Sequence, residues 1–153
     1  MTTTMNDAGP ARSTTPWHLW VVGALALLWN GFAGYDYVMS HVQGEAYMRQ
    51  MKMTEPQIAF MNAYPAWMTA VWAIGVWGSV LGAILMLARS RWALHAYLAS
   101  LAGFAVSLVY VYGLTDGGAV MGQMGTTMNA VIAVILLFLI WYSWTMTKRG
   151  VLR

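Results

Sequence analysis

The stretch Trp29–His41, WNGFAGYDYVMSH, gathers side chains capable of chemistry at the end of a long apolar run. Four of its residues recur at helical spacing: Asn30, Gly34, Tyr37 and His41. A continuous helix places them on one face. Aromatic rings beside a few hydrogen-bonding groups, facing a neighbouring helix, are typical of a small-molecule site. The stretch therefore predicts one wall of a ligand pocket.

The other wall is expected from residues at similar depth in the later apolar runs. The candidate ligand-binding residues are Asn30, Tyr35, Asp36, Tyr37, Tyr64, Trp67 and Tyr110. Further residues at that depth are Asn62, Tyr112, Asp116, Thr127 and Asn129. The alternative is that these are interfacial tyrosines and polar helix ends, which occur in membrane proteins generally.

Methionine and histidine offer two metal hypotheses. Eight of the 13 methionines fall on one side of the apolar runs, and thioethers suit Cu(I). The candidate copper ligands are His41, Met48, Met51, Met53, Met121 and Met124. Methionine is also an adaptable filler of irregular apolar surfaces. His18 and His95 share a depth, so an axial pair for haem is the second hypothesis, with two interfacial histidines as the alternative.

Several catalytic classes lack their signatures here. The chain has no cysteine, no H-E-x-x-H metal motif, no nucleophile elbow and no phosphate-binding Gly-rich loop. No ionisable residue lies near the middle of an apolar run, where ion-coupled carriers keep one. Asp36 falls at the outer edge, and Asn30 alone is strongly polar near mid-depth. We expect the protein not to be an enzyme.

The elements that position these residues follow from composition. Hydrophobic residues make up 59% of the 153 residues and charged residues 8%, which is typical of an integral membrane protein. Four charge-free stretches each exceed the ~20 residues that a membrane-crossing helix needs. The predicted spans are about 17–38, 65–88, 92–114 and 128–147. We predict an all-α, four-helix transmembrane bundle at 17–153 after a disordered cytoplasmic tail, residues 1–16.

Local signals mark the helix ends. Pro16 and Pro65 suit first-turn positions, because these have no intrahelical hydrogen bond to lose. Between the first two spans, Glu45 and Arg49 stand at i,i+4, and Thr54-x-x-Gln57 has the form of a capping box. This predicts an interfacial helical segment there, and TDGGAVMGQMG, residues 115–125, is expected to be an outer loop.

Orientation follows from the basic residues. Six of the eight Lys and Arg lie on the side of the N-terminus: Arg12, Arg89, Arg91, Lys148, Arg149 and Arg153. The positive-inside rule then predicts both termini in the cytoplasm. Because these charges sit at membrane edges, we expect membrane lipid rather than nucleic acid as the partner.

Small residues predict close helix packing. Gly78-x-x-x-Gly82 and Ala99-x-x-x-Gly103-x-x-x-Ser107 each align small side chains on one face. The pattern leaves open whether the contacts are made within one chain or between the subunits of a homo-oligomer.

Four segments carry a resemblance: PWHLWVVGALALLWNGFAGYDYVMSH, EAYM, YPAWMTAVWAIGVWGSVLGAILML and RGVLR. Together they resemble a family of small four-span proteobacterial inner-membrane proteins often labelled "sugar transporter". The likeness covers nearly the whole chain from Trp17. It implies the four-span topology, an inner-membrane location and that label, but no site residues.

The function predicted first is non-catalytic: an accessory protein of a larger membrane complex, or one that binds a lipid-like ligand. A small-solute transporter acting as an oligomer comes second, because the inner part of the bundle offers few hydrogen-bonding side chains for a sugar. These side chains are Asn30, Thr69, Ser79, Ser100 and Ser107. A Cu(I)-binding membrane protein with its site on the periplasmic side is the lesser alternative.

Overall fold

A computed structural model describes residues 14–153, and within that range the chain is all-helical with no strand. The predicted tail, residues 1–16, lies outside the described range except for its last three residues. The helices are α1 Trp17–Val42, α2 Glu45–Gln50, α3 Glu55–Asn62, α4 Ala66–Leu87, α5 Trp92–Leu108, which continues as a π-helix over Val109–Leu114, and α6 Gly117–Lys148.

Three helical stretches of the described chain are long and apolar enough to cross a membrane. They are Ala66–Leu87, Trp92–Leu114 and Gly117–Lys148. The prediction of an all-helical membrane protein is confirmed to this extent. α1 has 26 residues but is not one of the three. Its polar side chains, chiefly His18, Asn30 and Asp36, reduce its apolar character.

The observed starts of α1 and α4 agree with those predicted from the prolines, whereas the start of α6 differs from the prediction for the Gly-rich stretch. α1 begins directly after Pro16 and α4 directly after Pro65, as predicted. α6 begins at Gly117, whereas the sequence predicted a loop over 115–125. The helix is broken at Gly122, whose φ of 64° and ψ of −163° are non-helical. The glycines therefore mark a kink within a helix rather than a loop.

The long helices run up and down and give the bundle two ends. At the end we call the basic end, α1 and α5 begin and α4 and α6 finish. The turn Arg89–Arg91 joins α4 to α5 there, and a hydrogen bond links His18 at the start of α1 to Tyr142 near the end of α6. The opposite end, which we call the aromatic end, carries α2 and α3.

The buried core lies in the half of the bundle nearer the basic end. It draws residues from α1, α4, α5, α6 and the final tail: Leu19, Ala26, Ala83, Met86, Ala93, Tyr97, Leu136, Leu139, Tyr142, Met146, Val151 and Leu152. This core joins all four long helices.

α4 and α5 pack through small residues of the same chain. A Cβ added at Gly78 would lie 3.2 Å from the Ala96 carbonyl oxygen, and one at Gly82 would meet the Tyr97 ring at 2.7 Å. The α4 motif therefore serves a contact within the chain. On α5 the contact face carries Gly103 but not the predicted Ala99, which is exposed.

The segment between α1 and α4 is held by polar bonds that the sequence predicted in part. Arg49 forms ion pairs with Glu45 at 3.0 Å and with Glu55 at 3.1 Å. The Gln57 side-chain oxygen accepts a hydrogen bond from the Thr54 backbone N–H at 3.0 Å, as a capping box requires. The i,i+4 pair and this capping bond are confirmed.

Candidate functional site

Asn30 is 6% exposed and lies on the face of α1 that packs against α4. One turn further on, Gly34 approaches Val80 and Trp77 of α4. The amide nitrogen of Asn30 has no hydrogen-bond partner among the described residues. An unpaired buried polar group costs about 1–3 kcal/mol. Asn30 is therefore a free donor inside the bundle.

Asp36 lies at the aromatic end and is paired. The Tyr47 hydroxyl of α2 donates a 2.9 Å hydrogen bond to a carboxylate oxygen of Asp36. Burial, together with this hydrogen bond and the negative charge of Asp36, raises the pKa of Tyr47 to about 12. Tyr35 contributes an edge-to-face ring contact with Tyr47 at 6.4 Å. Sequence reasoning missed Tyr47, and an aromatic residue in an otherwise polar segment was the available signal.

Tyr37 turns away from this pair and faces α4. Its ring centroid lies 4.3 Å from that of His41 and 4.8 Å from that of Trp72. The His41 Nδ1–H donates to the Tyr37 backbone oxygen at 2.8 Å. The predicted face of α1 therefore exists, but packed rings fill the space beside Tyr37.

Tyr64, Trp67 and Tyr110 meet in a second aromatic cluster at the same end. Tyr110 lies 5.6 Å from Tyr64 and 5.4 Å from Trp67 between ring centroids, both edge to face. Phe60 of α3 joins them at 5.4 Å from Tyr64. The structure thus brings these three predicted residues together as packed side chains, apart from Asn30.

The candidate copper ligands occupy different environments. Met48 is buried within α2, whereas Met124 of α6 is 78% exposed and Met51 is 48% exposed. His41 already uses Nδ1 in its backbone bond. Among residues 14–153, no group of three or more His, Cys, Asp or Glu side chains could hold a metal ion. Copper binding by Met53, Met121 and the other methionines stays a prediction.

The two histidines of the haem hypothesis have separate partners. His18 Nδ1 and the Tyr142 hydroxyl are joined by a 2.5 Å hydrogen bond. His95 packs its ring against Trp92, with centroids 4.9 Å apart. His18 therefore joins α1 to α6, whereas the contact of His95 lies within α5.

An open groove separates the π-helical end of α5 from the facing part of α6. Its volume is about 550 Å³, within the usual range for ligand pockets. It is lined by Leu108, Val109, Tyr112, Gly113, Thr126, Asn129, Ala130 and Ala133. Most of this lining is apolar, and Gly113, Ala130 and Ala133 leave room because their side chains are small.

A polar network closes one end of the groove. Asn129 donates from its amide nitrogen to the Tyr112 hydroxyl at 3.1 Å, and that hydroxyl donates to Thr126 Oγ1 at 3.3 Å. Thr126 in turn donates to the Gly122 carbonyl oxygen at 3.1 Å, next to the kink. The sequence placed Tyr112 and Asn129 at one depth, but it pointed to Thr127 rather than Thr126.

The π-helix and α6 shape this groove through local bonds. Thr115 donates its hydroxyl to the Tyr110 carbonyl oxygen at 2.8 Å, which satisfies a backbone acceptor where the helix ends. A Cβ on Gly118 would lie 2.7 Å from the Tyr112 ring, so glycine is needed for that ring to lie against the start of α6. Single-turn π-helices occur frequently at functional sites.

No protein-family model, curated protein or solved structure matches the chain. The family resemblance of the sequence therefore stays a prediction, and any function must be argued from the site.

Proposed function

We propose that this chain is a non-catalytic, four-span protein of the bacterial inner membrane that binds a lipid-like ligand in the groove between α5 and α6. The observation that carries the proposal is the groove itself: an apolar trough of about 550 Å³ with hydrogen-bonding groups at one end. An amphiphile with an apolar tail and a small polar head has the matching chemistry.

The topology in this proposal includes α1 as the first span. At 1.5 Å per residue its 26 residues extend about 39 Å, more than the ~30 Å hydrocarbon core. Asp36, its one carboxylate, lies towards the aromatic end and accepts the Tyr47 bond. The concentration of Lys and Arg at the basic end supports a cytoplasmic position for that end, with α2 and α3 on the outer surface.

The groove has a defined orientation in that frame. Asn129 lies 19 residues before Lys148, which is about 28 Å along α6. The polar network of Asn129, Tyr112 and Thr126 is therefore placed at the outer boundary of the hydrocarbon, and Ala133 lies deeper. A bound lipid would put its head by the network and its tail along Leu108 and Ala133.

A groove-filling variant tests the proposal. Ala133→Trp occupies the trough, whereas Gly31→Trp adds the same ring at similar depth on α1, where a Cβ meets nothing within 4 Å. Native mass spectrometry from mild detergent should show the lipid held by the groove falling about tenfold in Ala133→Trp, equivalent to 1.4 kcal/mol, so that each chain loses one co-purified lipid, with no loss in Gly31→Trp. Equal retention in both variants contradicts the proposal, as does a stoichiometric protein partner in place of lipid.

Small-solute transport by an oligomer is the second candidate, and the unpaired amide of Asn30 favours it. The serine hydroxyls argue against it, because those of Ser79, Ser100 and Ser107 already donate to backbone carbonyls. Reconstituted protein that moves a sugar, with flux abolished in Asn30→Leu, would support transport over ligand binding.

A further inference from the structure

Three helices of the described chain end in the same backbone motif, with a residue in the left-handed region. At the end of α6 that residue is Gly150, with φ 68°, but at the end of α4 it is Arg89, with φ 59°. The motif at α4 is closed by the Ser90 N–H donating to the Leu85 carbonyl oxygen at 2.8 Å. A side chain in this region costs roughly 1–2 kcal/mol relative to glycine.

Lys52 occupies the same left-handed position at the end of α2, where a basic residue has a simple electrostatic explanation. Its φ is 61°, and a cation beside a helix C-terminus is stabilised by the helix dipole. Arg89 differs from Lys52 in its surroundings. The Arg89 Nε is buried and has no hydrogen-bond partner among the described residues, although a guanidinium N–H is a strong donor.

Arg89 borders a pocket of about 340 Å³ at the basic end. The pocket is lined by Ala88, Arg89, Ser90 and Arg153. The backbone holds the two arginines side by side: Arg153 donates its N–H to the Arg89 carbonyl oxygen at 2.8 Å, and Arg91 donates to the Arg153 carbonyl oxygen at 2.9 Å. Burial of Val151 and Leu152 anchors this tail against the bundle.

Among residues 14–153, no acidic side chain lies at this end. Five basic residues gather there: Arg89, Arg91, Lys148, Arg149 and Arg153. The acidic residues of the described chain all lie at the aromatic end: Asp36, Glu45, Glu55 and Asp116. Its ion pairs, those of Arg49, are at that end too. The basic end thus presents a positive field to whatever lies at the membrane surface.

We infer that the pocket between Arg89 and Arg153 binds the phosphate of an anionic phospholipid. Guanidinium groups match phosphate oxygens with paired N–H donors. The Arg153 Nε–H donates to the Gly150 carbonyl oxygen at 3.4 Å, which orients that side chain beside the pocket. A lipid rather than free phosphate is favoured by Trp92 and Trp17, which are exposed at the same end as residues of a membrane interface are. This site is separate from the α5–α6 groove and does not depend on its ligand.

Two glycine substitutions make a matched test. Arg89→Gly and Lys52→Gly each remove one positive charge at a left-handed helix end, and glycine retains the backbone conformation in both. The protein is placed in detergent with added phosphatidylglycerol, phosphatidylcholine or inorganic phosphate, and bound species are counted by native mass spectrometry. In an Ala133→Trp background, which blocks the groove, phosphatidylglycerol should be retained by the otherwise unchanged chain and by Lys52→Gly, and about tenfold less by Arg89→Gly, while Arg89→Lys recovers part of the binding.

The outcomes separate the sources of phosphate. Selective retention of phosphatidylglycerol over phosphatidylcholine, unaffected by inorganic phosphate, supports the inference. If Arg89→Gly and Lys52→Gly lose phosphatidylglycerol equally, the effect is one of net charge and the inference is overturned. Displacement of the lipid by inorganic phosphate would also overturn the inference. Thermal unfolding of Arg89→Gly at or above the wild-type temperature shows that loss of lipid does not come from loss of fold.

Discussion

The Ser100 hydroxyl donates a 2.5 Å hydrogen bond to the Gly75 carbonyl oxygen, across the interface of α4 and α5. Such a bond is made only where two helix backbones lie close together, and glycine permits that approach. The bond fixes the register of α4 against α5. The position of the π-helical end of α5, and so of one wall of the groove, follows from that register.

Any side chain at Gly103 should separate these helices. A Cβ there would lie 2.9 Å from both the Gly75 nitrogen and the Val71 oxygen, which are backbone atoms that cannot move aside. We expect Gly103→Ala to lower the free energy of unfolding in detergent by about 1–3 kcal/mol, as overpacking does. Gly31→Ala is the control: its Cβ meets nothing, and alanine favours the helix by up to about 1 kcal/mol. Equal stability of the two variants would contradict the close contact.

Mutation of Ser100 should destabilise the protein, whereas mutation of Asn30 should not. Asn30→Leu removes an amide that has no partner, so the unfolding free energy should stay level or rise by up to about 2 kcal/mol. Ser100→Ala removes a bond that is made and should lower it by about 1 kcal/mol. Thermal unfolding in one detergent compares them. Destabilisation by Asn30→Leu would show that the amide has a partner, such as a bound water.

Tyr47 should make stability depend on alkaline pH. Burial first, and then Asp36, raise the pKa of Tyr47 from 10.0 to about 12 in the folded protein. Its contribution is fully present below pH 10.0, and it is lost as pH rises to about 12, because the unfolded chain releases the proton first.

Tyr47→Phe is the test of that dependence. Over that interval the wild type should lose stability more steeply than the variant. The tyrosinate absorbance that the variant lacks should appear near the upper end of the interval. An absorbance difference that appears at the ordinary tyrosine pKa would show that Tyr47 is neither buried nor in contact with Asp36 in solution.

The accuracy of prediction from the sequence depends on how far apart in the chain the interacting residues lie. Local rules located the proline-led starts of α1 and α4, the Glu45–Arg49 ion pair and the Thr54–Gln57 capping bond. Each depends on residues within one or two turns of each other. The small-residue motif of α4 was predicted as a contact surface, but its partner on α5 required the structure.

The site was predicted less well, for a physical reason. Depth in the membrane can be read from distance along a helix, so Tyr112 and Asn129 were placed at one level. Rotation about the helix axis cannot be read from uniformly apolar helices. In the structure, the Tyr35 ring contacts Tyr47 of α2, whereas the Tyr37 ring contacts Trp72 of α4. The groove lies beside Thr126 and not beside Asn30.

Labelling with a phospholipid that carries a photoactivatable acyl chain tests the central claim most directly. After irradiation of the reconstituted protein and peptide mapping, the label should concentrate on 108–113 and 126–133, the two walls of the groove. Ala133→Trp should remove that label and leave the background unchanged. Label spread evenly over lipid-facing side chains, such as Leu25, Leu28 and Phe32 of α1, would contradict a lipid site in the groove.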